Sequence, residues 1–102
     1  MVIYIDIDET ICFHPQGSPN TARDYTLASP IIENIKKANK LYDDGNTIVY
    51  WTARGATTGI DWTELTTQQL KKWGAKYHEL KLDKPFYDMF IDDKVINTED
   101  WT

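Results

Sequence analysis

The stretch VIYIDIDET, residues 2–10, decides the fold class of this chain. Its first four residues are β-branched or aromatic and do not alternate with polar residues, which is typical of a strand buried on both faces of a parallel sheet. The strand ends at Asp6, and a second acid, Asp8, follows after one residue. Because parallel strands need long crossover connections, this stretch predicts helices between the strands that follow.

The rest of the chain alternates between helical and strand patterns. Apolar residues recur at helical spacing over residues 31–42, with Ser29 as the predicted N-cap, Pro30 at the first helical position and Gly45 as the stop. The further predicted elements are a strand over residues 47–51, a helix over 61–74, a weak strand over 76–78 and a stronger strand over 87–91. The alternation predicts an α/β fold: a Rossmann-like three-layer sandwich with a mostly parallel sheet and helices on both faces.

Length and charge limit the functions that this chain can have. Its 102 residues, 41% of them hydrophobic, suit a single domain over residues 1–102. Its formal charge of −5 disfavours binding to nucleic acids or acidic membranes through a general positive field. An acidic substrate must therefore be held by a local arrangement of residues.

The cysteine content and the first residues predict a cytoplasmic protein. The single cysteine, Cys12, has no partner for an internal disulfide, which favours a reducing compartment. The first apolar run meets Asp6 after five residues, which is too short for a signal peptide or a membrane span. We therefore expect no association with membranes.

Polar side chains follow the predicted strands. These are Asp6 and Asp8, then Thr52 and Arg54, then Asp92 and Asp93, with Lys84 shortly before the last strand. Because ligands of parallel sheets bind at the carboxyl ends of the strands, we expect these side chains to meet at one edge. Four carboxylates placed together repel one another unless a cation lies between them, and oxygen ligands favour Mg²⁺.

Four stretches resemble, in order, the four motifs of the haloacid dehalogenase-like (HAD) superfamily of phosphohydrolases. They are Asp6-x-Asp8-x-Thr10 after the first strand, Thr52 after the second, Lys84 in a Lys-Pro pair, and Asp92-Asp93 after a late strand. The resemblance spans residues 2 to about 97. Within the superfamily, the stretches DIDET, WTARG and IDDK look most like small phosphatases associated with capsular polysaccharide biosynthesis. The resemblance implies a HAD-like core, and the intervals between the motifs are too short to hold a cap domain.

The resemblance also implies a catalytic mechanism. Asp6 would attack phosphorus and form an aspartyl-phosphate, while Asp8 would act as general acid and then as general base. Mg²⁺ would lie between Asp6, the backbone carbonyl of Asp8 and Asp92, with Asp93 as a further ligand or as an orienting residue.

Thr52 and Lys84 would bind the non-bridging phosphate oxygens, and Arg54 is a candidate clamp for a substrate phosphate or carboxylate. Each of these residues also has a simpler interpretation. Thr52 suits a cap at a strand end, Lys84 suits a solvated lysine before a turn proline, and Arg54 suits a surface ion pair. An acid after a strand, such as Asp6, is often only a turn former.

A site without a cap is open to water. We expect a flap over residues 11–29, a large substrate or a second subunit to cover it, and we expect a homo-oligomer. His14 and Arg23 lie in this flap, and we interpret both as solvated loop residues rather than substrate contacts.

The leading hypothesis is a Mg²⁺-dependent phosphatase acting on a sugar phosphate or another small phosphorylated metabolite. A nucleotide or nucleic-acid-end phosphatase is the alternative within the same chemistry. A phospho-accepting domain that resembles response-regulator receivers is the alternative from another class, although such a domain has its adjacent acid pair after the first strand. A catalytically silent scaffold is disfavoured because Asp6 and Asp8 are both present.

Overall fold

The computed structural model describes residues 1–15 and 24–102 of the chain. Five strands and two α-helices form within these residues, together with two short 3₁₀ turns at Tyr25–Leu27 and Thr98–Asp100. In chain order they are β1 (Val2–Ile5), β2 (Cys12–Phe13), β3 (Ser29–Pro30), α1 (Ile32–Asp43), β4 (Thr47–Trp51), α2 (Thr63–Lys72) and β5 (Glu79–Lys81). The chain is therefore an α/β fold, as the alternating pattern predicts.

The main sheet has three parallel strands in the order β1-β4-β5. Strand order along the sheet equals strand order along the chain, so two right-handed crossovers place α1 and α2 on the same side. The core agrees with this, because Ile35 of α1 and Leu70 of α2 join one buried cluster with Ile5 and Tyr50 of the sheet. The two helices therefore form one layer, and neither α1 nor α2 forms the predicted helical layer on the other face of the sheet.

The opposite side of the sheet is more open to solvent. Side chains alternate between the two faces of a strand, so Tyr4 of β1 and Trp51 of β4 point away from the helices. Tyr4 is 49% exposed, and its ring meets that of Trp51 edge to face at 5.5 Å between centroids. This face supplies an aromatic surface that continues toward the carboxyl ends of the strands.

The start of the first helix differs from the sequence prediction. Ser29 and Pro30 are not an N-cap and a first helical residue; they form β3, which pairs antiparallel with β2. The backbone N–H of Ile31 donates to the carbonyl of Ile11 at 2.8 Å, which keeps the chain extended for one residue more. The helix begins at Ile32 and ends before Gly45, whose φ of 96° confirms the predicted glycine stop.

Within the described residues no helix is long and apolar enough to cross a membrane.

The predicted strand over residues 87–91 is not formed. Those residues are exposed and have no strand partner among the described residues, with Met89 75% and Ile91 87% exposed. A short apolar run favours a strand, but it becomes one only where a neighbouring strand pairs with it. The weak strand predicted over residues 76–78 does form a little later in the chain, as β5.

A pair of substitutions in α1 tests the position of the core. Ile35 is 3% exposed and Ile32, one helical turn earlier, is 51% exposed. We expect Ile35→Ala to lower the free energy of unfolding by about 2–4 kcal/mol, because it removes buried methyl groups and leaves a cavity. Ile32→Ala should change it by less than about 1 kcal/mol. Urea unfolding of both variants measures the difference, and equal losses would contradict this account of the core.

Candidate active site

The turn after β1 carries the two acids of the predicted motif. Ile7 between them is fully buried, and its carbonyl accepts the backbone N–H groups of Thr10 and Ile11 at 3.1 and 2.9 Å. Glu9 takes a positive φ of 63°, which closes the turn. Asp6 and Asp8 are therefore fixed on either side of a buried anchor, at the carboxyl end of the edge strand β1.

Asp6 lies beside the ammonium group of Lys84. Its Oδ1 accepts the backbone N–H of Ile7 at 2.9 Å, and its Oδ2 lies 3.6 Å from Nζ of Lys84. Burial raises the pKa of Asp6 more than the nearby Lys84 lowers it, so the pKa lies above its ordinary value. The Asp6 side chain is still 38% exposed, so its carboxylate can be reached from solvent.

Asp8 is held by Arg54 in a buried ion pair. Nε of Arg54 donates to Oδ2 of Asp8 at 3.1 Å and Nη2 donates to Oδ1 at 2.9 Å, a forked geometry. The Arg54 side chain is fully buried, and that of Asp8 is 13% exposed. The sequence interpretation of Arg54 as a surface ion pair is wrong, because its partner lies inside the fold.

The other donors of Arg54 are also taken by the protein. Nη1 donates to Oγ1 of Thr66 at 3.0 Å and to Oε1 of Gln69 at 2.7 Å, both on α2. The guanidinium carbon lies 4.7 Å from the centre of the Tyr25 ring. In this arrangement the guanidinium orients Asp8, whereas the sequence predicts a clamp on the substrate.

Thr52 follows β4 directly and links the end of that strand to Lys84. It is fully buried, its backbone N–H donates to the carbonyl of Lys81 at 2.9 Å, and its carbonyl accepts the N–H of Lys84 at 3.3 Å. Its Oγ1 accepts the backbone N–H of Arg54 at 3.2 Å, as expected of a strand-end cap. A hydroxyl that accepts one hydrogen bond still has its proton to donate, so both sequence interpretations of Thr52 fit.

The structure does not bring Asp92 and Asp93 to the other acids. Both are exposed, and Oδ1 of Asp92 accepts the N–H of Lys94 at 3.3 Å in a local turn. A hydrogen bond between the two carboxyl groups lowers the pKa of Asp92 and raises that of Asp93. The prediction that a strand end carries this pair to the edge of the sheet is wrong here, because the strand over residues 87–91 is absent.

The side chain of His14 is buried, although the sequence predicts a solvated loop residue. Its side chain is 6% exposed, with Nε2 3.5 Å from Oδ1 of Asp8 and Nδ1 3.1 Å from Oε1 of Glu9. Nothing in the local sequence signals this, since the contacts depend on how the chain folds back after the turn. Arg23, the second residue that the sequence analysis assigns to the flap, lies outside the described residues, together with the rest of residues 16–23.

Cys12 lies under the same acid. It is fully buried, and its Sγ is 3.5 Å from Oδ1 of Asp8. Burial, and then the charge of Asp8, raise the pKa of the thiol to about 12. Because the thiolate is the reactive form, Cys12 is a packing residue and not a nucleophile.

The donors present fit a magnesium ion only in part. The Asp6 carboxylate and the backbone carbonyl of Asp8 are hard oxygen donors on one turn, and Mg²⁺ in proteins often has one or two carboxylates, water molecules and substrate phosphate as ligands. Within residues 1–15 and 24–102, however, no three His, Cys, Asp or Glu side chains come close enough to hold a metal. The Asp6 turn thus supplies part of a site, and Asp92 and Asp93 do not complete it.

The comparisons with known proteins support the fold. The chain is similar to a crystal structure of an MCSG target from Vibrio cholerae, with a TM-score of 0.79 and 23% sequence identity over 98% of this chain and 85% of that one. No protein-family model matches the chain, and no curated protein matches it. At this identity the likeness shows a shared fold alone.

The loop that carries Arg54 depends on a glycine without room for a side chain. Gly55 has a φ of 83°, and a Cβ added there would lie 2.2 Å from the carbonyl oxygen of Ile60. Gly59 in the same loop has a φ of 73° and nothing within 4 Å of the corresponding point. We expect Gly59→Ala to cost about 1 kcal/mol of stability from backbone strain alone. Gly55→Ala should cost about 2–4 kcal/mol because it adds a clash with backbone.

Thermal or urea unfolding of the two alanine variants measures this difference. The two glycines share the positive φ and differ in the space around them, so each variant controls for the other. Equal destabilisation would show that the packing of Gly55 against Ile60 is not tight.

Proposed function

We propose that this chain is a Mg²⁺-dependent phosphomonoester hydrolase that works through an aspartyl-phosphate intermediate. The observation that carries the proposal is the different setting of two acids on one turn: Asp6 is open and lies beside a lysine, and Asp8 is fixed by a buried arginine. Two carboxylates in unlike environments suit a nucleophile and an acid–base group. The proposal includes a Rossmann-like, HAD-type core without a cap, which the order of the motifs in the sequence supports.

In this proposal Asp6 is the nucleophile. One of its carboxylate oxygens attacks phosphorus in line, the bond to the leaving oxygen breaks, and an aspartyl-phosphate results. Its exposed carboxylate allows that approach, while the neighbouring ammonium of Lys84 offsets part of the repulsion between a carboxylate and a phosphate. Water then attacks the phosphoryl group, the bond between phosphorus and the Asp6 oxygen breaks, and inorganic phosphate and the free Asp6 carboxylate result.

Asp8 handles the proton in both steps. It donates a proton to the leaving oxygen and afterwards accepts one from the attacking water, so its position relative to Asp6 must not drift. The forked contact with Arg54 supplies that rigidity, and we therefore assign Arg54 to positioning Asp8 and not to binding substrate. Nε2 of His14 lies 3.5 Å from Oδ1 of the same carboxylate.

Thr52 and Lys84 are the candidates for binding the phosphoryl oxygens, because both lie where β4 and the chain after β5 approach Asp6. When bound at the Asp6 turn, Mg²⁺ would offset the negative charge on the phosphoryl group. Asp92 and Asp93 would join this site only after the segment that carries them moves.

The substrate that suits this chain best is a sugar phosphate or another small phosphorylated metabolite. A nucleotide is the next choice, and the net charge of −5 disfavours the end of a nucleic acid. Exposed apolar residues such as Met89 and Ile91 support a homo-oligomer. The single buried thiol supports a reducing compartment such as the cytoplasm.

Hydrolysis of p-nitrophenyl phosphate tests the proposal. We expect turnover with Mg²⁺, none with EDTA, and a loss of at least about 10³-fold in Asp6→Asn because the nucleophile is gone. Asp43→Asn is the matched control, since Asp43 is an exposed acid of α1 that pairs with Lys76. It should keep the activity of the unchanged protein.

Thermal unfolding of Asp6→Asn shows whether the fold is kept. Full activity in a folded Asp6→Asn variant would refute the mechanism. A stable phosphoprotein formed from acetyl phosphate without turnover would favour the receiver-like alternative.

A further inference from the structure

The Lys84 ammonium is enclosed by two aromatic rings. Its Nζ lies 5.6 Å from the centre of the Trp51 ring and 5.3 Å from that of Tyr87, in addition to its contact with Asp6. Only 11% of the Lys84 side chain is exposed, which is low for a lysine before a turn proline. The interpretation of Lys84 as a solvated residue is therefore wrong.

Each ring is itself held in place. The Trp51 ring packs perpendicular to the Tyr4 ring, and its Nε1 donates to Oδ1 of Asp83 at 2.7 Å. The Tyr87 ring packs against Phe90 with 5.3 Å between the ring centres. One wall of the enclosure thus comes from the sheet and the other from the segment that follows Lys84 in the chain.

Lys84 itself is fixed at its backbone but has a long side chain. Its N–H donates to the carbonyl of Thr52, and Pro85 restricts it to extended backbone. Four rotatable bonds still separate that backbone from the ammonium. A lysine side chain that nothing holds in place would lose this rotamer freedom when it binds a substrate. Aromatic faces attract a cation, and more strongly when water is excluded, so two rings can hold the ammonium before substrate arrives.

We propose that Trp51 and Tyr87 are positioning residues that hold the Lys84 ammonium beside Asp6 for contact with the phosphoryl oxygens. The inference rests on the proposed function, because Lys84 is taken there as a phosphate-binding group. It gives a role to Tyr87, which lies in a segment that has no place in the sheet. It also gives a role to Trp51, whose ring points away from the helical core.

Two substitutions at Tyr87 distinguish the effect of its aromatic face from the effect of its side-chain volume. Tyr87→Phe keeps the ring, and Tyr87→Leu replaces it with an aliphatic side chain. Phe86→Leu is the control, because Phe86 is 70% exposed and makes no ring contact with the described residues. Trp51→Leu repeats the test from the other wall of the enclosure.

The first measurement is the NMR shift of the ε-methylene protons of Lys84, which does not depend on activity. Ring currents of two faces should move these protons upfield in the unchanged protein, in Tyr87→Phe and in Phe86→Leu. We expect the upfield shift to shrink in Tyr87→Leu and in Trp51→Leu.

The second measurement is function. In Tyr87→Leu we expect the affinity for inorganic phosphate, measured by calorimetry, and kcat/KM for p-nitrophenyl phosphate to fall about tenfold each. Both quantities should stay within about twofold in Tyr87→Phe and Phe86→Leu. An unchanged Lys84 shift or an unchanged phosphate affinity in Tyr87→Leu would overturn the proposal. If the unchanged protein has no phosphatase activity, the proposed function fails, while the Lys84 shift and phosphate affinity still decide on the enclosure.

Discussion

The buried ion pair between Asp8 and Arg54 is the interaction on which the rest of the site depends. Removing two charges from water costs several kcal/mol per ion, and this cost is met only where the geometry is good and the remaining donors are satisfied. The structure meets both conditions, since the guanidinium contacts Asp8 on one side and Thr66 and Gln69 of α2 on the other. The ion pair therefore joins the turn after β1, the loop after β4 and the second helix into one unit.

The two acids of the turn each have their own cation. Asp8 is paired inside the protein with the planar guanidinium of Arg54, which cannot lose its proton. Asp6 lies beside the ammonium of Lys84, and burial and the charge of this lysine act on the pKa of Asp6 in opposite directions. The first arrangement favours a fixed orientation and the second leaves room for a ligand, which is the division of roles that a nucleophile and an acid–base group require.

The sequence predicts the elements whose pattern is local. Strand β1, the helical stripe of α1 and the acids at the end of β1 all follow from residues within one segment. The sequence does not predict contacts made between segments, such as Arg54 with Gln69 or His14 with Asp8. The absence of a strand over residues 87–91 has the same origin, because an apolar run becomes a strand only when another strand pairs with it. The local sequence predicts a helix start at Pro30, but Pro30 pairs with Cys12 and the chain stays extended there.

A double-mutant cycle on the ion pair tests the central claim most directly. The measurement is the free energy of unfolding of Asp8→Asn, Arg54→Met and the double variant, each compared with the unchanged protein. If the pair organises the site, each single change is costly because it leaves a buried partner unmatched, and the coupling energy is about 2 kcal/mol or more. Single losses that add to within about 0.5 kcal/mol in the double variant would contradict the account.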